Sequence, residues 1–154
     1  MDFVTDSIVT GRRFRALAIV DDYSRECPAI EVDTSLGGHR VVSVLERMAE
    51  IRGLPEVITM DNGPEFAGRA LDVWAYHKGV KLNFIRPGKP IENALAESFI
   101  GRLRDECLNT NWFMNLKHAR DIIEEWRKDY NEVRPHSALN NMAPVEYAAI
   151  TAGL

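Results

Sequence analysis

Between Asp33 and Val41 the hydrophobic period of this chain changes, and that change constrains its fold more than any other feature. Before it, apolar residues come in short runs or alternate. Arg13–Val20 is an apolar run ending at Asp21-Asp22, and Cys27–Asp33 alternates in the period-2 manner of a strand with one solvated face. Asp2–Asp6 reads as a further strand, with Thr10-Gly11-Arg12 as the turn, so three strands on short polar turns predict an antiparallel meander. After it, Val41, Val44, Leu45, Met48 and Ile51 fall on one helical stripe that Gly53 stops ahead of Pro55. Glu56–Met60 is a short strand delivering Asp61, and the helix after it carries Phe66, Ala70, Leu71 and Trp74 inward and closes at Gly79. Val80–Ile85 is a last strand, cut off by Pro87-Gly88-Lys89-Pro90, and two helices follow, Ile91–Leu108 and Leu116–Tyr130. Strands first, then alternating helices and strands, predict an α/β fold around one five-stranded mixed sheet, three strands antiparallel and then two parallel, flanked by helices.

At 154 residues the chain is long enough for one core without disulfides or a structural metal. The predicted division is a catalytic core over 1–133 with a C-terminal tail over 134–154. The apolar runs fall far short of the roughly 18 residues of a membrane span, and no leader sequence opens the chain. Cys27 and Cys107 stand eighty positions apart and read as reduced thiols of a cytoplasmic protein. His39, His77, His118 and His136 lack ligand spacing, which speaks against zinc. The net charge of −4 speaks against a generic nucleic-acid binder, usually strongly basic.

Two carboxylates stand out by position. Asp61 ends an apolar strand and precedes a glycine turn that opens a helix, the crevice where open α/β sheets place ligands. Taken alone, Asp61-Asn62-Gly63-Pro64 is also good turn chemistry. On the helix from Ile91, the residues Ile91, Leu95, Phe99, Leu103 and Cys107 form one apolar stripe and Glu97 falls opposite, with Asn93 a turn before and Arg104 two turns after. Small Ala94 and Gly101 keep that face low, while Glu92 points roughly 140° away. Asp2, near the start of the first strand, means nothing alone.

Together these residues resemble something definite. Asp61 and Glu97 enclose thirty-five residues, with Asp61-Asn62-Gly63-Pro64-Glu65-Phe66 at the first and Glu97-Ser98-Phe99 at the second, and Asp2-Phe3 upstream. Val20–Cys27, Phe84–Pro90, Gly101–Asn109, Asp129-Tyr130-Asn131 and Arg134-Pro135-His136 follow in order. The set resembles the DDE catalytic core of bacterial insertion-sequence transposases, related to retroviral integrases, with a ribonuclease H-like fold. The resemblance implies catalytic and metal-binding roles for Asp2, Asp61 and Glu97, with two Mg²⁺ ions (Mn²⁺ as substitute). Hard divalent ions prefer carboxylate oxygens, and two of them roughly 3.5–4 Å apart clamp the attacking and leaving oxygens of a phosphodiester. It further implies DNA as partner, both element ends and target, and a dimer or higher homo-oligomer on that DNA. Lys89, Arg104, Arg102 and Arg86 are the expected DNA contacts; Arg104 alternatively pairs with a neighbouring acid. Asn62 and Glu65 are expected to shape the turn, Asp21-Asp22 to be a turn-forming acidic pair, and His136 to be structural. Two bound divalent ions add four positive charges, bringing −4 to 0, which reconciles the acidity with DNA.

The chain departs from the family's pattern at Glu92, where relatives tend to have Gln, and at Ile100, where they tend to have Asn. It also starts at Met1, directly before Asp2, without the upstream strand residues and helix-turn-helix usual in relatives, so a loosely held Asp2 is expected. Three activities share these expectations: a metal-dependent DNA strand transferase, a catalytically silent remnant that binds DNA or transposase subunits, and a ribonuclease H acting on hybrids. The carboxylate spacing and accompanying motifs favour the first.

Overall fold

The structure is a computed structural model and describes residues 1–61, 63, 66, 68–85 and 93–152. Five strands form: β1 (Asp2–Ser7), β2 (Arg13–Ile19), β3 (Ala29–Asp33), β4 (Val57–Met60) and β5 (Lys81–Phe84). Five α-helices accompany them: α1 (Gly38–Arg52), α2 (Arg69–Lys78), α3 (Ala94–Leu103), α4 (Leu116–Glu132) and α5 (Pro144–Ala152). β1–β2–β3 is antiparallel, with Asp2 opposite Ala18 and Ala18 opposite Ile30, and β4–β5 is parallel. The strand senses are therefore those the sequence indicates. The hydrogen-bond ladders form two sheets rather than one, because β1 reaches β4 only at its start, where the Met1 ammonium donates to Thr59 O at 2.8 Å.

Strand alternation divides the core. On one face of β2, Phe14, Ala16 and Ala18 pack with Val4, Val32 and the apolar sides of α3 and α4; on the other, Leu17 and Ile19 pack with α1, α2, Ile58 and Met60. β2 is thus buried on both faces, which explains its near-continuous apolar sequence. Gly53 (φ 81°) and Gly79 (φ 70°) take the positive φ that closes α1 and α2 where the sequence stops them. Ile51 belongs to the predicted α1 stripe but is 86% exposed, because the last turn of that helix runs past the core. Phe66 is fully buried, yet from a turn ahead of α2 rather than from the helix. It stacks on Phe3 at 4.9 Å, and the Arg15 guanidinium lies 4.1 Å from the Phe3 ring centre.

The predicted helix Ile91–Leu108 is two pieces within its described part. After α3 the chain widens into a π-helical turn over Arg104–Leu108, closed by Asn109 N–H donating to Arg104 O at 2.8 Å. The wider turn buries both Cys107 and Leu108, where a single stripe would bury one of them.

α4 buries its seam of Ala119, Ile123, Trp126 and Tyr130 in the chain's own core. Its polar side chains also hold the β3 segment. Arg120 donates to Val32 O (2.9 Å) and Arg127 to Cys27 O (2.8 Å). Asn131 accepts from Cys27 N–H (2.8 Å) and donates to Cys27 O (2.9 Å). These bonds occupy backbone groups that an edge strand would otherwise expose. Beyond α4, a 3₁₀ turn over Ser137–Leu139 and α5 fold back on the body, with Tyr147 and Tyr23 ring centres 5.7 Å apart. His136 is buried and its ring lies 4.8 Å from that of Tyr130, a packing role.

Both cysteines are free and buried. Burial pushes the Cys27 thiol up to about 12 and the Cys107 thiol to about 11. Because the thiolate is the reactive form, neither should react with a maleimide or disulfide reagent at pH 8 in the folded protein. Both should titrate once guanidinium unfolds it; fast labelling without denaturant would contradict the buried geometry.

Candidate active site

Alternation along β1 puts Asp2 on the same face as Val4, and that face packs against α3. Asp61 directly follows β4, whose Ile58 and Met60 are buried, and is thereby carried to the end of the parallel pair. Glu97 lies in the first turn of α3 on its exposed side. Three separate elements therefore bring one carboxylate each toward one end of the structure.

Asp2 is half-buried, and its Oδ1 accepts from the Phe3 N–H at 2.8 Å. Burial raises its pKa above the ordinary carboxylate value. The Phe3 bond opposes that shift, while the like charges of Asp61 and Glu97 add to it. Asp2 thus lies in the electrostatic field of both other carboxylates. The residue before it is firmly held: Met1 is 5% exposed and bonded to Thr59, so the expectation of a loosely held Asp2 is not met. Asp61 and Glu97 are exposed, and Asp61 Oδ1 accepts from the Gly63 N–H at 2.9 Å, an Asx-type turn. Among the described residues, no three His, Cys, Asp or Glu side chains stand close enough to hold one metal ion. The carboxylates share an electrostatic neighbourhood without forming a finished coordination shell. Their donor chemistry, hard anionic oxygen throughout, suits Mg²⁺.

Arg104, the first residue after α3, follows Glu97 by seven residues, about two helical turns on. Arg104 and Arg102 are both exposed, and among the described residues no carboxylate pairs with either, so the ion-pair alternative for Arg104 is not seen there. Six other arginines among the described residues have acidic partners: Arg40, Arg47, Arg52, Arg120, Arg127 and Arg134, with Arg40 held by Glu31 and Asp33, Arg52 by Asp21 and Arg134 by Glu106. Asn93, assigned to the open face, is instead buried at 7% exposure, and Ile100, where relatives tend to have Asn, is 9% exposed inside the core with Phe99 and Leu103. Ile100 is consequently a packing residue, since α3 is enclosed on more sides than one stripe can describe. Lys89, Arg86, Glu92, Asn62 and Glu65 lie outside the described residues. Asp21 behaves as turn chemistry, its Oδ1 accepting from Tyr23 and Ser24 N–H and its Oδ2 pairing with Arg52.

A groove of about 520 Å³ opens beside the site between β4 and the end of α1, with Met1, Thr59, Asn93 and Ala96 on its wall. None of the three carboxylates lines it. Among the described residues no helix is long and apolar enough to cross a membrane.

Comparison with known proteins bears directly on this arrangement. The integrase core domain family matches residues 1–90, and a second integrase core domain family matches residues 78–144. The "uncharacterized 31.7 kDa protein" of insertion element IS407 from Burkholderia multivorans is 53% identical over 149 residues, covering 97% of this chain and 54% of that protein. The corresponding 39.2 kDa protein of insertion element IS476 from Xanthomonas euvesicatoria is 46% identical, covering 97% of this chain and 43% of its own length. The chain thus spans about half the length of these relatives. Among solved structures, the integrase of the simian T-cell lymphotropic virus intasome superposes with a TM-score of 0.77 at 16% identity, covering 95% of this chain and 53% of that chain. The HTLV-2 integrase catalytic core in complex with magnesium gives 0.70 at 15% identity, covering 95% and 94%. At such identities the likeness shows the fold, which is ribonuclease H-like. The chain belongs to the integrase core domain family, as a core of the bacterial insertion-element type.

Proposed function

We propose that this chain is a metal-dependent polynucleotidyl transferase core that cleaves and joins DNA strands in transposition. The observation that carries the reading is membership of the integrase core domain family, with Asp2 on β1, Asp61 directly after β4 and Glu97 in the first turn of α3 as the carboxylates that the resemblance names. Asp2, Asp61 and Glu97 would hold two Mg²⁺ ions, or Mn²⁺ in their place. The bound ions supply charge stabilisation for the attacking and leaving oxygens of an in-line displacement. Water attacks a phosphodiester, the P–O3′ bond breaks and a 3′-OH is released. That 3′-OH then attacks a second phosphodiester, forming one P–O bond as another breaks. No side-chain nucleophile is needed. Arg104, exposed two turns beyond Glu97, and Arg102, also exposed, neutralise DNA phosphates, with Lys89 and Arg86 in the same role.

Magnesium in the HTLV-2 integrase core supports the choice of ion, and the trimeric and dimeric forms of that core support assembly of several copies on DNA. Incubation with a branched oligonucleotide mimicking the joined product is expected to give strand cleavage in Mg²⁺ or Mn²⁺ and none in EDTA. Absence of cleavage in both metals at any enzyme concentration would refute the reading.

A further inference from the structure

One aromatic surface of the molecule lies apart from the carboxylates. Trp112 is 82% exposed, and Met114 (62%) and Val9 (43%) are exposed with it. Val9 N–H donates to Phe113 O at 2.8 Å, so the β1–β2 turn and the loop before α4 form one surface. That loop is tied down on both sides of Trp112. Asn111 donates to Cys107 O at 2.8 Å, and Phe113 is buried edge-on against Phe14. Met114 N–H donates to His118 Nδ1 at 3.0 Å, and Asn115 caps α4. A large indole face is therefore held out into solvent on a tied-down loop, 82% exposed among the described residues.

The two segments that build it carry charge of one sign. In a chain with 23 acidic residues, the two segments that build this surface, 8–13 and 109–115, contain Arg12 and Arg13 and no carboxylate. Both arginines are exposed, and among the described residues no hydrogen bond or ion pair involves either side chain. A planar aromatic face beside unpaired guanidinium groups fits a polymer with alternating flat rings and negative charges, which is single-stranded nucleic acid. A duplex hides its base faces in the stack, whereas an unpaired strand offers them. β1 has six residues from Asp2 to Ser7, which places this surface about 20 Å from Asp2 along the strand.

We infer that the Trp112 surface is a contact for single-stranded DNA: a base stacks on the indole, flanked by Met114 and Val9, and the adjoining phosphates meet Arg12 and Arg13. The choice of polymer rests on the DNA-processing reading above, but the contact needs neither metal nor cleavage. It is tested on the full chain in EDTA with a dozen-nucleotide oligothymidylate. Trp74 and Trp126 are 5% and 9% exposed, so quenching by acrylamide reports chiefly on Trp112. The oligonucleotide should change the emission and shield it from acrylamide. Trp112→Ala, whose melting temperature should match that of the parent, should bind about tenfold more weakly. Arg12→Gln with Arg13→Gln should lower the slope of log K against log salt by about 1.4, at about 0.7 per phosphate contact on a single strand. Emission unaltered by the oligonucleotide, or Trp112→Ala binding as tightly as the parent, would overturn the inference. So would self-association without DNA that Trp112→Ala abolishes, which marks a protein interface. A chain that cleaves the branched substrate yet shows no such quenching refutes this contact alone; one that quenches without cleaving refutes only the catalytic reading.

Discussion

Asp61→Asn is expected to lower strand cleavage of the branched substrate in Mg²⁺ by at least about 10³-fold while leaving the melting temperature within about 1 °C of the parent. The two halves of this expectation have different origins. Asp61 is exposed and joins no core cluster among the described residues, and the hydrogen bond described for its side chain, from Gly63 N–H to Oδ1, is one that the amide oxygen of Asn also accepts. The turn after β4 therefore survives the change. What is lost is a full negative charge on a hard ligand, at a site that on this reading concentrates two divalent ions, and their transition-state stabilisation amounts to several kcal/mol. Glu97→Gln should behave alike, since Glu97 is also exposed. The double variant should be scarcely worse than either single one, because ligands that act as a unit lose their effect together. Retention of activity within tenfold of the parent by Asp61→Asn would remove Asp61 from the catalytic set, and with it the reading of the strand-end crevice.

Some of this architecture is legible in the residues and some is not, and the division follows the range of the interactions. Gly53 and Gly79 stop helices by a local backbone property, so the ends of α1 and α2 are readable. The spacing of Leu116, Ala119, Ile123, Trp126 and Tyr130 likewise makes an apolar seam by helix geometry alone, though that spacing fits a partner subunit as well as the chain's own core, where the structure buries it. By contrast, Ile51 satisfies the same periodicity and is exposed, since where a core ends is a tertiary fact. Ile100 sits near the face assigned to DNA and is buried because α3 is packed against both the sheet and α4. The π-helical turn after α3 has no signature in the stripe that predicts one straight helix. Asp61 and Glu97 stand out by the element each sits on, whereas their shared field at Asp2 comes from the alternation of β1 and the packing of α3 together. Trp112, set in the apolar run Trp112-Phe113-Met114 whose middle residue is buried, carries no sequence signal for its exposure.

Asn131→Ala is expected to destabilise the protein by about 2–4 kcal/mol, a fall of roughly 5–15 °C in melting temperature for a chain of this size. Asn131 is 6% exposed, and its amide satisfies both the N–H and the C=O of Cys27, a residue 104 positions away. The Cys27 carbonyl keeps a second donor in Arg127 at 2.8 Å, so the carbonyl is partly protected in the alanine variant. The Cys27 N–H has no such reserve among its described partners and would be left buried and unpaired, which is the costlier half of the loss. Asn131→Asp separates the two contributions. It preserves an acceptor for the N–H but sets a carboxylate oxygen against the Cys27 carbonyl in place of a donor, and it buries a charge. Aspartate should therefore be at least as damaging as alanine at pH 7, although it is nearer to asparagine in size. Amide exchange at Cys27 measured alongside thermal melting locates the effect: it should accelerate in Asn131→Ala. A loss below 1 kcal/mol with exchange at Cys27 unchanged would mean that α4 is held to the β3 segment by its apolar seam alone, with Arg120, Arg127 and Asn131 adding orientation but little stability.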